Sequence, residues 1–405
     1  MVIGAPGHGG HGDAQRGRIV VTLSSGGQIN ITGPDTYSRF GSSCVTADIN
    51  LDGHLDLVVG APQSNGKDLA HVVGNYTGAV YVYFGSSAGL HHVPDINITT
   101  PDAFTQLGGQ LTMLSGLGVA ISGVTRSANG PQAGMLAVLV PGKKYSVPTS
   151  IPALQLDLVL TVPDKFSWFG ASSALLEWHV ATTHGLLIVG APALSTTNGS
   201  VGGVYVFSVN ASSSAAFQSG SQIHATLVSR INGIEDRATF GAQVAVFDGY
   251  VAIAAPSAGR GLVSLETHDA QGNVFIAPVS VLSSLSSGAT WTADQIPWTV
   301  VLKGAQDFSK LGSVLAVLPH TSGDVLLMSS PQQQHETGLV EAWTLKGGVQ
   351  WRVSGEATRE RYGAQLCTGD FDGDGVLEVA VGSPRRDIGD LQRAGFVELI
   401  KPKKR

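Results

Sequence analysis

Apolar residues fall along this chain in short runs separated by polar, glycine-rich stretches, and the runs are of two kinds. Some are near-continuous, such as Leu186-Leu-Ile-Val189, which suits a strand covered on both faces. Others alternate, as in Gly78-Ala-Val-Tyr-Val-Tyr-Phe84, which suits a strand nearer an exposed edge. No long stretch of helix-forming composition interrupts them, so the pattern predicts an all-β chain.

The runs repeat. A strand ending in Gly-Ala-Pro or a relative of it occurs seven times: Gly4-Ala-Pro6, Gly60-Ala-Pro62, a degenerate Ile121-Ser-Gly123, Gly190-Ala-Pro192, Ala254-Ala-Pro256, Ser329-Ser-Pro331 and Gly382-Ser-Pro384. A Phe-Gly-like start precedes six of them, at Phe40-Gly41, Leu107-Gly108, Phe169-Gly170, Phe240-Gly241, Leu311-Gly312 and Tyr362-Gly363. Each copy reads as four strands: one after Phe-Gly, one into Gly-Ala-Pro, a third of the Gly-x-Val-Tyr-Val kind, and a fourth before the next start. Third strands include those beginning at Gly17, Gly203, Gly338 and Gly395. Pro ends the second strand because it cannot donate to a ladder. Such units stack radially into a β-propeller, and seven copies predict seven blades in one domain: 1–39, 40–106, 107–168, 169–239, 240–310, 311–361 and 362–405. The chain opens inside a second strand, Met1 to Pro6, and closes on a third, Gly395 to Ile400, so its first and last blades are expected to be incomplete. On that count the chain is expected to be a truncated piece whose absent strands precede Met1, and its unpaired edges are expected to lower its solubility.

Composition narrows the setting. With 53 Gly, 13% charged residues and a net charge of −6, there is no basic footprint for nucleic acid. No apolar run approaches the ~18 residues that span a bilayer, and the amino terminus lacks the charged and apolar regions of a signal peptide. Five Asn-x-Ser/Thr sequons, at Asn30, Asn75, Asn97, Asn198 and Asn210, point to an extracellular, secreted chain. The two cysteines, Cys44 and Cys367, read as buried small residues and not as a disulfide.

Two acidic loops carry the chemistry. Asp48-Ile-Asn50-Leu-Asp52-Gly53-His54-Leu-Asp56 places oxygen side chains at positions 1, 3, 5 and 9, with Gly53 where the chain bends and the carbonyl of His54 as a further donor. Asp370, Asp372, Asp374 and Glu378 repeat the spacing, with Gly375 at the bend and Val376 offering the carbonyl. Hard cations take six to eight oxygens, so each loop is expected to hold Ca2+. Strands flank both loops, and the last ligand falls at position 9, which separates them from the helix-flanked EF-hand. The second loop offers four carboxylates against three plus Asn50 and is expected to bind the more tightly, although Glu378 is a methylene longer than Asp56.

The repeat resembles the FG-GAP propeller of integrin α chains. It is still more similar to the carboxy-terminal propeller of the glycosylphosphatidylinositol-specific phospholipase D family, through Ser38-Arg-Phe-Gly-Ser-Ser43, Gly78-Ala-Val-Tyr-Val-Tyr-Phe-Gly-Ser86 and Asp164-Lys-Phe-Ser-Trp-Phe-Gly170. The resemblance implies a propeller beside a zinc-dependent catalytic domain that lies upstream, so Zn2+ is implied only there and not in these residues. It also implies GPI-anchored substrates for the whole enzyme, or an extracellular protein or glycan ligand for an integrin-like module. The third to sixth copies lack acidic loops, and no cation is carried onto them.

Other patterns are weaker. Gly85-Ser-Ser87-Ala-Gly89 fits a nucleophile elbow in letters, but a loop follows where that motif needs a helix, so it reads as a turn. Gly60 through Lys67 misses the phosphate-loop spacing and has Asp68 where Ser or Thr is required. His8, His11 and Asp13 read as a polar loop without enough ligands for zinc. Lys401-Pro-Lys-Lys-Arg405 reads as a solvated end, and the tryptophans, Trp168 among them, as packing between blades. No nucleophile has an identifiable base, so this chain alone is expected to be inactive. Two functions remain: the non-catalytic propeller of an enzyme that hydrolyses GPI anchors, or a stand-alone integrin-like adhesion or ligand-binding module.

Overall fold

The computed structural model describes residues 1–9, 15–22, 26–64, 76–127, 130–142, 149–179, 184–211, 223–259 and 270–402. Strands form where the apolar runs fall. Val2–Ala5 (β1), Arg18–Thr22 (β2) and Gln28–Thr32 (β3) make the first sheet. Then come Ser43–Ala47 (β4), Asp56–Ala61 (β5), Ala79–Tyr83 (β6) and Ile96–Thr99 (β7), followed by Leu111–Leu114 (β8), Gly118–Ser122 (β9), Met135–Leu139 (β10), Thr149–Pro152 (β11) and Leu158–Thr161 (β12). Ser172–His179 (β13), His184–Ala191 (β14), Gly203–Ala211 (β15) and Ile223–Asn232 (β16) are next. Gln243–Phe247 (β17), Tyr250–Ala255 (β18), Asn273–Pro278 (β19), Ala289–Thr292 (β20) and Val300–Lys303 (β21) lead to the last two sheets. These hold Leu315–Leu318 (β22), Val325–Ser330 (β23), Leu339–Thr344 (β24) and Gly348–Ser354 (β25), then Gln365–Gly369 (β26), Glu378–Ser383 (β27) and Phe396–Ile400 (β28). Seven sheets of mostly antiparallel neighbours result, and the fold class is the all-β, seven-bladed propeller expected from the repeats.

Four strands per copy is not the rule throughout. The second and fourth sheets each gain a fifth strand, in the orders β11-β7-β6-β5-β4 and β13-β14-β15-β16-β20. Both extra strands come from the link between a third and a fourth strand, and each runs parallel to the outer strand of the preceding sheet, Thr149 opposite Ile96 and Ala289 opposite Ser229. Each leads into a single 3-10 turn, Ala153–Gln155 and Ala293–Gln295. Parallel pairing tolerates a long connection, and these four-residue pieces are too short to stand out in the apolar pattern.

The chain forms two compact units, Met1–Val189 with Val206–Val228, and Gly190–Tyr205 with Ser229–Arg405. Within the first, one face of the second sheet (Leu57, Val59, Tyr81, Tyr83) packs on Ile19 and Ile31 of the first sheet, while the other (Val58, Val80, Val82) packs on Val119, Ile121 and Ala137 of the third. That is why β5 is apolar without alternation: both of its faces are covered. Within the second unit, Leu326 and Met328 face Ala252, Val274 and Ile276, and Leu327 faces Val379 and Val381.

The two signature dipeptides have a shared physical cause. At each Phe-Gly start the glycine takes a left-handed φ, from 82° at Gly108 and Gly363 to 92° at Gly170, a conformation that L side chains resist. At Gly41, Gly108, Gly241, Gly312 and Gly363 its N–H donates to the Gly-Ala-Pro end of the same repeat, as from Gly41 to the Gly60 carbonyl at 3.0 Å. The aromatic or aliphatic partner is buried, and Phe40 sits 5.8 Å from the Tyr81 ring and 6.3 Å from that of Tyr83. In six repeats the glycine just before the third strand (Gly17, Gly78, Gly134, Gly202, Gly272 and Gly338) then docks on the next start. A Cβ on Gly78, whose φ is +80°, would lie 2.1 Å from the Leu107 nitrogen.

Two residue-level expectations are corrected. Cys44 in β4 is only partly buried and Cys367 in β26 is exposed, so neither is the fully buried small residue expected. Trp168 is 43% exposed, its indole N–H donating to Gln132 Oε1 at 3.0 Å; the preceding left-handed loop turns it outward. Trp343 does pack between sheets as expected, against Phe247, whereas Trp298 packs within its own repeat, against Phe240 and Phe275. Gly85 to Gly89 forms a turn with no helix after it.

Candidate metal centre

Each acidic loop joins a first strand to a second strand of one sheet: β4 to β5, and β26 to β27. The loops are built alike. Asp48 Oδ1 accepts from the Asp52 N–H at 3.1 Å and Asp48 Oδ2 from Gly53 at 2.9 Å; Asp370 does the same with Asp374 at 3.1 Å and Gly375 at 2.8 Å. Position 3 accepts from position 5 in both, Asn50 from Asp52 at 3.0 Å and Asp372 from Asp374 at 3.1 Å. Position 5 accepts from position 7, Asp52 from His54 and Asp374 from Val376, each at 2.8 Å. Gly53 and Gly375 have φ of 88° and 80° with open space where a side chain would begin, so conformation and not room requires glycine there.

Position 9 closes each loop from the strand. Asp56 is fully buried; its Oδ2 accepts from Ile49 at 2.7 Å and its Oδ1 from Gly85 at 2.8 Å. Burial pushes its carboxyl above the usual value, against the pull of those N–H groups. Glu378 reaches the equivalent N–H, that of Phe371, at 2.8 Å, so its extra methylene is accommodated. The His54 N–H beside Asp52 holds that carboxyl below its ordinary range, and Lys401 followed by the Val376 N–H does so for Asp374.

The structure brings the carboxylates of Asp370, Asp372, Asp374 and Glu378 together, one oxygen from each lying within 4.8 Å of the others. Asp48, Asp52 and Asp56 do not close up into such a group; the amide of Asn50 instead donates to Asp52 Oδ2 at 2.9 Å. Both loops offer only oxygen donors, the set that suits calcium and not zinc. Lys401, read from sequence as part of a solvated end, joins the last loop: its Nζ lies 3.0 Å from Asp372 Oδ2, 3.4 Å from Glu378 Oε1, and in contact with Asp374 Oδ2. No spacing signal could have placed it there, since strand register carries it in. Residues 403–405, His11 and Asp13, and Lys67 and Asp68 lie outside the described residues.

Two stretches, 40–83 and 362–397, match the FG-GAP repeat family, and each contains one of the acidic loops. The chain carries FG-GAP repeats. It is 30% identical over 211 residues to phosphatidylinositol-glycan-specific phospholipase D of Rattus norvegicus, a match covering 47% of this chain and 24% of that protein. The Homo sapiens protein of that name matches with the same identity and coverage. Integrin alpha pat-2 of Caenorhabditis briggsae is 37% identical over 120 residues, 28% of this chain and 9% of the integrin. The FG-GAP chain is thus homologous to GPI-specific phospholipase D and to integrin α chains, while its match spans only 24% of the rat enzyme's length.

Among the described residues no helix is long and apolar enough to cross a membrane. Of the sequons, Asn30, Asn198 and Asn210 are exposed, whereas the amide oxygen of Asn97 is buried inside the second sheet between β6 and β11. Asn75 lies outside the described residues.

Proposed function

We propose that this chain is a calcium-binding FG-GAP propeller of an extracellular protein, and that it serves as the non-catalytic partner of a domain that hydrolyses GPI anchors. The observation that carries the calcium reading is the loop scaffold, whose hydrogen bonds to positions 1, 3 and 5 repeat in the two FG-GAP-matched stretches. In the last loop Asp370, Asp372, Asp374, Glu378 and the carbonyl of Val376 would hold the ion; in the first, Asp48, Asn50, Asp52, Asp56 and the carbonyl of His54. The ion would supply positive charge to a cluster that otherwise repels itself and would fix the loop on its sheet.

The phospholipase D reading rests on 30% identity over 211 residues, the extracellular one on the exposed sequons. The integrin similarity supports a second reading, an adhesion or ligand-binding module whose partner is an extracellular protein or glycan. Release of a GPI-anchored reporter separates the roles. The purified chain is expected to release nothing above a heat-killed control. Zinc-dependent release would place hydrolysis within these residues and overturn the non-catalytic assignment.

A further inference from the structure

The two loops differ at one point of their scaffold, and the difference follows from strand register. In the second sheet Leu57 pairs with Tyr83, so Asp56 faces the chain where it leaves β6 at Phe84 and Gly85. In the last sheet Val379 pairs with Ile400, so Glu378 faces Lys401 and Pro402. Gly85 donates its N–H to Asp56 Oδ1, but Pro402 has no N–H to give. Glu378 Oε1, on a side chain 3% exposed, is therefore left buried without a hydrogen bond and aimed into the acidic group. Its companion is the ammonium of Lys401, which also holds Asp372 Oδ2 and Asp374 Oδ2. The first loop has nothing comparable, since buried Phe84 occupies the matching position.

We infer that Lys401 is a built-in competitor for the cation of the last loop, its ammonium and a divalent ion holding the same three carboxylates in turn. This inference rests on the calcium reading above. An ammonium is a compact charge with three donors, and here it meets one oxygen from each of three acids. A divalent ion within bonding distance of those oxygens would lie almost against Nζ, so like charges exclude joint occupancy. Metal binding at this loop must release Lys401, and by linkage calcium loosens the Lys401 contact by the same factor as Lys401 weakens calcium. The last loop, richer in carboxylates, is thereby held in check while the first is not.

The test is calcium titration by calorimetry on the full chain carrying Asp48→Ala, which silences the first loop, with and without Lys401→Met or Lys401→Gln. The expected result is an affinity at least about fivefold tighter in both Lys401 variants, with no change when they are paired instead with Asp370→Ala, which leaves only the first loop. Hydrogen exchange in the peptide around Ile400 and Lys401 is expected to rise with calcium when Lys401 is present. Binding at the last loop that is unchanged or weakened by both variants would overturn the competitor role while leaving the calcium reading intact. Absence of binding at that loop with and without Lys401 would defeat the calcium reading there, and the competitor role with it.

Discussion

Asp52 and Asp374 occupy the same rung of their loops, and both are held below the ordinary aspartate value of 3.8. The causes differ in part: the His54 N–H and Asn50 act on Asp52, whereas Lys401 and the Val376 N–H act on Asp374. A carboxyl whose folded value is depressed contributes stability that is present above its unfolded value and lost as pH falls through the folded one. In EDTA, the melting temperature is therefore expected to fall as pH drops below 3.8, and the fall should be shallower in Asp52→Asn and Asp374→Asn. Acid loss that begins above about pH 5 and is identical in all three proteins would count against the loop geometry. The two acidic loops were legible in the sequence because a nine-position loop is local, and side-chain spacing fixes which oxygens it gathers. Lys401 was not, because only the pairing of β28 with β27 brings it to Glu378. Nor could the letters Asn97-Ile-Thr99 reveal that β7 is covered on both sides by neighbouring strands.

The strand units were readable because each Phe-Gly and Gly-Ala-Pro mark answers to a backbone need. The glycines are demanded by left-handed φ and by backbone approaching from the next repeat, and those needs survive even where Leu107 or Tyr362 replaces the phenylalanine of the start. Gly78→Ala tests this directly. It sets a Cβ 2.1 Å from the Leu107 nitrogen on a residue with φ +80°, so it should cost more than the ~1–2 kcal/mol of a left-handed L-residue alone. Urea unfolding should show a midpoint well below that of the parent. Gly53→Ala, with the same kind of φ but open space, should cost only the conformational part, and equal losses at the two positions would refute the docking argument. The additional strands β11 and β20 escaped the repeat pattern for a different reason: they belong to no repeat position, and their half-exposed residues carry no strong periodicity.

Across the whole molecule, the continuous apolar runs are explained by sheets covered on both faces, as Val58 and Val59 show by pointing to opposite neighbours. Homology to phospholipase D and integrin α chains agrees with the repeats, and the FG-GAP matches fall on the two stretches that carry acidic loops. Calcium should then act as a fold-linked ligand, since an unfolded chain cannot assemble either oxygen set. The most direct measurement is calorimetric titration of calcium into EDTA-stripped chain, alongside Asp48→Ala and Asp370→Ala. Two sites are predicted, one removed by each substitution, with a melting temperature that rises with calcium. No heat of binding, or a stoichiometry untouched by both substitutions, would contradict the assignment of these loops.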